Sequence, residues 1–293
     1  MEGTDSMIVD CHTHLWQRAH LSEPFISAAI GESARGKLEN VSPDRHFKAL
    51  QAVDYAIVTG WRSEHLGVDV PNDFIADYVK KHPEKLIGFA SVDPFEDDPV
   101  GELKRCAGNL GLSGVHIAPV YQNFHPMHTD AVPIYEAAQE LHLPILFDVG
   151  VSYPGVASIK YAAPFMLEEF GDRFGDLRIL IGHLGSPWVE QTALLLGKYE
   201  NMYAEISGLA ERPWHFYQSL VICQEHGVLD KLVFASNYPF GHAEKTIEAI
   251  YQVNLMAQGT NLPKIPRERL RALVERDALA LLGLKQPQGA RAS

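Results

Sequence analysis

Short apolar runs alternate with amphipathic stretches along almost the whole chain. The first run starts at Met7 and ends in two histidines, His12 and His14. Seven more fall at 55–59, 86–92, 114–117, 144–149, 177–181, 202–206 and 232–236. Their apolar character is nearly continuous, which marks strands buried on both faces. Between them, apolar residues recur at helical spacing over 73–81, 99–110, 132–141, 162–174, 187–199, 214–226 and 243–258. Ser42, Pro43 and Asp44 read as N-cap, N1 and N2 of a helix before the second run, and Asn72 reads as a further N-cap. Eight strand–helix units predict an α/β fold, a single (β/α)8 TIM barrel, with 266–282 as an extra C-terminal helix. An open doubly wound sheet is the competing architecture, but no Gly-x-Gly-x-x-Gly follows any run. The barrel is expected over 7–285, with a frayed lead-in at 1–6 and a disordered tail at 286–293. The long connection 17–40 reads as a functional loop, such as a lid.

Composition narrows the class without changing this picture. The 293 residues carry 25 basic and 37 acidic side chains, a formal charge of −12, which argues against nucleic-acid or anionic-membrane partners. Cys11, Cys106 and Cys223 show no metal or redox spacing and are expected as reduced thiols in the cytoplasm. No apolar run approaches the roughly 18 residues of a membrane span, and the start lacks an export pattern.

Barrel active sites lie at the C-terminal ends of the strands, so polar residues that end apolar runs are the candidates. Side chains alternate on a strand, so Asp10, His12 and His14 are expected on one face and Cys11 and Thr13 on the other. Two same-face histidines lie roughly 6–7 Å apart at Cα, close enough to share one ion. Asp148, His183 and Asn237 end other runs, and His116 lies within the fourth. Asp93 before Pro94 reads as a turn residue. Glu205 suits either a lumen-facing support or a loop cap. Trp16, Trp61, Tyr121, Phe124 and Tyr238 fit the wall of a planar substrate pocket or ordinary packing. Arg62 fits a substrate carboxylate or an exposed ion pair.

The segments at 10–14, 86–94, 114–119, 181–185, 203–208 and 234–239 together resemble the amidohydrolase superfamily. The likeness is to its amidohydrolase-related branch of hydrolases, lactonases and decarboxylases such as aminocarboxymuconate-semialdehyde decarboxylase. The resemblance implies that His12 and His14 bind a metal and that His183 is the acid/base group. Two positions depart from it: Asp148 replaces a histidine and Asn237 an aspartate, so the site keeps one carboxylate. The expected ligands are therefore His12, His14 and Asp148 for one divalent ion, zinc first and manganese second. His183 is the expected proton carrier, with His116 behind it and Asn237 unable to act as a base. Trp16, Arg62, Tyr121 and Tyr238 are the candidate substrate contacts. Relatives of this kind imply a possible homodimer.

Three functions remain open. The first is hydrolysis of an amide, lactone or related carbonyl compound by metal-activated water. The second is non-oxidative decarboxylation of an aromatic or unsaturated acid. The third is a non-catalytic barrel that binds a small molecule.

Overall fold

The computed structural model describes residues 7–29, 41–151 and 154–287. Eight parallel strands follow one another around a nearly closed barrel: β1 Val9–His14, β2 Tyr55–Thr59, β3 Leu86–Ser91, β4 Val115–Ile117, β5 Ile145–Phe147, β6 Ile179–Ile181, β7 Met202–Glu205 and β8 Leu232–Val233. A two-stranded hairpin, Arg62–Ser63 with Val68–Asp69, stands beyond β2. The seam between β8 and β1 closes through Cys11 N to Phe234 O (3.0 Å), Asn237 N to His12 O (2.9 Å) and His14 N to Tyr238 O (2.8 Å). β8 is shorter than its apolar run because the Asp10 carboxylate takes Ser236 N (2.8 Å), replacing a strand partner with a side chain.

The two faces of the strands explain their continuous apolarity. Val9, Cys11, Ile57, Phe89, Leu146, Leu180, Val233 and Ala235 form one cluster inside the barrel. Alternate residues such as Val58, Ile117, Phe147, Ile181 and Ala204 pack outward against the helices. Burying each large aliphatic or aromatic side chain contributes about 1.5–3 kcal/mol. Ala278, Leu279 and Leu282 of a terminal helix plug the inner cluster from below.

Among the described residues the α-helices of five or more residues are α1 Glu23–Ala29, α2 Pro43–Ala49, α3 Asn72–Val79, α4 Pro99–Arg105, α5 Val132–Glu140, α6 Glu168–Arg173, α7 Val189–Lys198, α8 Pro213–Glu225, α9 Ala243–Gln252, α10 Arg267–Val274 and α11 Ala278–Leu282. Ser42 caps α2 by accepting from Arg45 N, as its sequence position predicts. Three expectations are corrected. Asn72 does not cap α3; its buried amide bonds Ser91 N and O and the Glu102 carboxylate, tying the helix to β3. The single closing helix is two, because Asp277 accepts from Ala280 N and restarts the chain as α11. Connection 17–40 contains α1, whose Phe25 and Ile26 are buried; its remainder at 30–40 lies outside the described residues. The expected lead-in 1–6 and tail positions 288–293 lie outside them too. Asp93 accepts from Phe95 N (3.1 Å) and Glu64 N (2.9 Å), the turn role its sequence suggests. All three cysteines are buried and unpaired. No helix among the described residues is long and apolar enough to cross a membrane.

Candidate active site

The first strand does not alternate as its sequence suggests. From Asp10 to Thr13 β1 advances three residues while β2 advances two, Ala56 to Val58, so one extra residue is accommodated as a bulge. Val9 and Cys11 share the inside of the barrel, but beyond the bulge Thr13 meets His46 outside it, and the His12 and His14 rings lie together at the rim with centroids 4.6 Å apart. Register supplies the other members. His116 is paired with Leu146, which faces the lumen, and Asp148 lies two residues beyond Leu146. Glu205 is paired with the lumen residue Val233.

His183 and Asn237 arrive by a different device. Both lie just past a strand with positive φ, 53° and 57°, and Leu184 follows at 51°. Left-handed backbone costs an ordinary residue about 1–2 kcal/mol, so the surroundings must hold it. Glu205 Oε1 accepts from His183 N at 2.7 Å, which anchors the turn. Gly150 packs so closely that a Cβ there would lie 2.6 Å from the His183 Cβ.

Glu205 is the hub of the floor. Besides His183 N, it accepts from His12 Nδ1 (2.9 Å) and from the Ser207 amide and hydroxyl. Burial works to raise its pKa, but the His12 bond and the nearby His183 charge bring it down to about 2. Its carboxylate is acceptor-only, so His12 carries its proton on Nδ1 and turns the Nε2 lone pair inward. His183 Nδ1 meets the Ser207 hydroxyl at 2.8 Å and its Nε2 stands 3.4 Å from Asp148 Oδ1. Burial opposes a charge on His183, but Asp148 and Glu205 outweigh it and push the pKa up to about 9. Burial favours the neutral forms of His14 and His116, and His116 falls to about 4. Neutral imidazoles are what a metal requires.

Two groups bring donor atoms within 4.8 Å of one another: His12, His183 and Glu205, and His12, His116 and Asp148. The first is already joined by hydrogen bonds. In the second, His12 Nε2, both His116 nitrogens and Asp148 Oδ1 are buried without a hydrogen-bond partner, as are the adjacent His14 Nδ1 and Asn237 Oδ1. Buried polar atoms without partners are costly, and a His-His-carboxylate set with imidazole and carboxylate donors fits one divalent cation. His12, His14, His116, Asp148, His183 and Asn237 thus meet at one rim.

The candidate substrate contacts divide. Trp16 is fully buried with its ring 5.8 Å from His14 and 5.7 Å from Phe240. Trp61 lies 6.3 Å from His14, flanked by Phe25 (5.0 Å) and Tyr121 (5.3 Å). Tyr238 instead packs on His46 and His242, and Phe124 on Phe95. The Arg62 guanidinium is paired with Asp69 (2.9 Å) and Glu96 (3.0 Å). The bonds made by Glu205 and Ser207 leave no local sequence signal beyond a carboxylate at a strand end. A cleft of about 640 Å³ edged by His142, Arg173, Phe174, Arg178 and Leu282 lies at the opposite, N-terminal end of the strands, where barrel residues serve stability.

The profile of the amidohydrolase family matches residues 9–284. The chain belongs to the amidohydrolase family. Among related amidohydrolases, a γ-resorcylate decarboxylase of Polaromonas sp. (strain JS666) is 24% identical over 216 residues, covering 58% of this chain and 64% of the relative. This chain therefore spans a little under two thirds of that curated relative. Among solved structures, a dihydroxybenzoic acid decarboxylase from Polaromonas sp. JS666, with bound manganese and the inhibitor 2-nitroresorcinol, superposes with a TM-score of 0.68 at 18% identity, covering 95% of this chain and 97% of that one. A probable 2-pyrone-4,6-dicarboxylic acid hydrolase from Acinetobacter baumannii, with citric acid bound, gives 0.66 at 15% identity, covering 94% and 99%. At such identities the structural likeness carries the amidohydrolase barrel itself.

Two outcomes follow from the floor. Glu205→Gln keeps the shape but removes the charge that orients His12, and is expected to weaken divalent-metal affinity about 10–100-fold, read by competition with a chelator. In the metal-free protein, the His183–Asp148 pair contributes fully below the ordinary histidine pKa of 6.5 and is lost as pH rises through about 9. The melting temperature should fall between about pH 7 and about pH 9.5, and fall less in Asp148→Asn.

Proposed function

We propose that this amidohydrolase is a metal-dependent, non-oxidative decarboxylase of a hydroxylated aromatic carboxylic acid. The observation that carries the reading is the meeting of a buried His12, His116 and Asp148 donor set with a further histidine: His183 Nε2 lies 3.4 Å from Asp148 Oδ1. Decarboxylation breaks one C–C bond, releases carbon dioxide and leaves an electron pair on the ring carbon, which then needs one proton. His183 is the group here that carries it; the Asn237 amide has none to give at neutral pH. Glu205 and Ser207 hold the far nitrogen of His183 and so aim Nε2 at the rim. Trp16 and Trp61 stand beside His14, where they would wall the place of an aromatic ring. His12, His116 and Asp148, with His14 adjacent, would hold the ion. A divalent ion there supplies Lewis-acid binding of the substrate's oxygen atoms.

The decarboxylase relatives, one solved with manganese, support this reading above the hydrolysis that the sequence placed first, and favour manganese over zinc. Hydrolysis stays as the second reading because one similar structure is of a probable pyrone hydrolase. Incubation with carboxyl-labelled 2,6-dihydroxybenzoate and manganese in D2O tests the choice. Labelled carbon dioxide with one deuterium on the ring product is the expected result. Acid release from lactones without carbon dioxide would transfer the activity to the second reading.

Arg62 is paired with Asp69 and Glu96, so Arg212 is the arginine this reading places at a substrate carboxylate. Arg212, after β7, donates to Ser186 Oγ (3.1 Å), whose own N bonds His183 O (2.9 Å). Among the described residues no carboxylate pairs with Arg212. Arg212→Ala is expected to raise KM about tenfold with kcat little changed, measured by steady-state kinetics.

A further inference from the structure

We infer that His46, on α2 outside the barrel, is a positioning residue for the first-strand histidines and acts through Thr13. The inference rests on the reading of His12 and His14 as members of the site. His12 and His14 flank Thr13, which pairs with Val58 where the β1–β2 ladder resumes after the bulge between Asp10 and Thr13. Thr13 points outward, and Thr13 Oγ1 donates to Ile57 O at 2.7 Å. With its hydrogen committed there, the oxygen accepts from His46 Nε2 at 2.9 Å. His46 Nδ1 is then a lone pair, which accepts from the Tyr78 hydroxyl at 2.9 Å.

This assignment satisfies the three side chains together: Tyr78 donates to His46, His46 to Thr13, and Thr13 to the main chain of β2. Thr13 and His46 are fully buried and Tyr78 is 2% exposed, so water does not compete. Desolvation holds His46 neutral, with its pKa brought down to about 3, as the assignment requires.

The location supports a role in the site as well as in folding. The Tyr238 ring packs edge-on to His46 with centroids 5.3 Å apart, and Tyr238 O accepts from His14 N. His46 therefore contacts both sides of the β1–β8 seam, next to Asn237 as well as between His12 and His14. That seam is where the strand ladder ends early and side chains take over. A displacement of Thr13 would turn both neighbouring imidazoles, because the three residues are consecutive where the strand leaves the bulge. Pinning Thr13 from behind fixes His12 and His14 without placing any further group in the pocket.

The test compares Thr13→Val, which removes the hydroxyl at nearly constant shape, with Thr13→Ser, which keeps it. In metal-free, 15N-histidine-labelled full-length protein, His46 is expected as the neutral Nε2–H tautomer. Thr13→Val should shift the His12 and His14 ring signals, and Thr13→Ser should leave them near wild type. With manganese, Thr13→Val is expected to bind about tenfold more weakly by chelator competition, and Thr13→Ser within about threefold of wild type. Unmoved ring signals in Thr13→Val, or equal losses in both variants, would overturn the inference. Wild-type protein that takes no manganese, but whose ring signals respond to Thr13→Val, would sink the metal reading and leave the positioning role standing. Tyr78→Phe cuts the outer end of the chain and covers the case in which Thr13→Val does not fold. It should shift the His46 tautomer balance and, more weakly, the His12 and His14 signals; an unchanged spectrum counts against the inference.

Discussion

His183→Asn should lose about 10²–10⁴ of the decarboxylation rate while retaining manganese at the wild-type level. Asparagine is the appropriate replacement because residue 183 sits at φ 53°, a conformation that asparagine tolerates better than most residues. A loss of rate can then be assigned to the missing imidazole and not to a broken turn. Glu205 would still accept from the backbone N at 183, and the donor set of His12, His116 and Asp148 would be intact. Initial rates and plasma mass spectrometry on the same preparation separate the outcomes. Loss of rate with metal retained makes His183 the proton carrier. Loss of both would make it a ligand, and an unaffected rate would remove it from the reaction.

Asp148→Asn is expected to be equally damaging by another route. It removes the one carboxylate of the unpartnered set and with it the negative charge facing His183. Metal affinity should fall about 100-fold or more, and the His183 pKa should drop toward its ordinary value. Alanine at His12 should show the same metal loss, whereas alanine at His14 discriminates between two ligand sets. Retention of metal in His14→Ala, with loss in His116→Ala, would place the ion among His12, His116 and Asp148. The reverse would restore the set expected from sequence. Metal retained in Asp148→Asn would show that the carboxylate serves His183 alone.

These expectations differ in how far they were visible in the sequence. The barrel was legible because each strand and helix writes its own period locally, and 55–59 coincides with β2. The strand-end histidines, Asp148 and Asn237 were legible for a related reason: a polar residue that ends a buried run lies at a strand end in any parallel barrel. Where the expectations failed, nonlocal partners intervened. The bulge that separates Thr13 from the face of Cys11 depends on pairing with β2, and Asn72 is drawn from its cap by Ser91 and Glu102.

By itself, then, the sequence determined the eight-unit barrel, the family, and the rim on which the chemistry-bearing residues stand. Only the tertiary structure decided what those residues do to one another. His12 meets Glu205 across 193 residues of chain, Arg62 is withdrawn by Asp69 and Glu96, and His46 reaches Thr13 from outside the barrel. Periodicity reports which face of an element is buried. The partner that a buried donor or acceptor finds there is set by barrel closure, which brings the far ends of the chain into hydrogen-bonding distance.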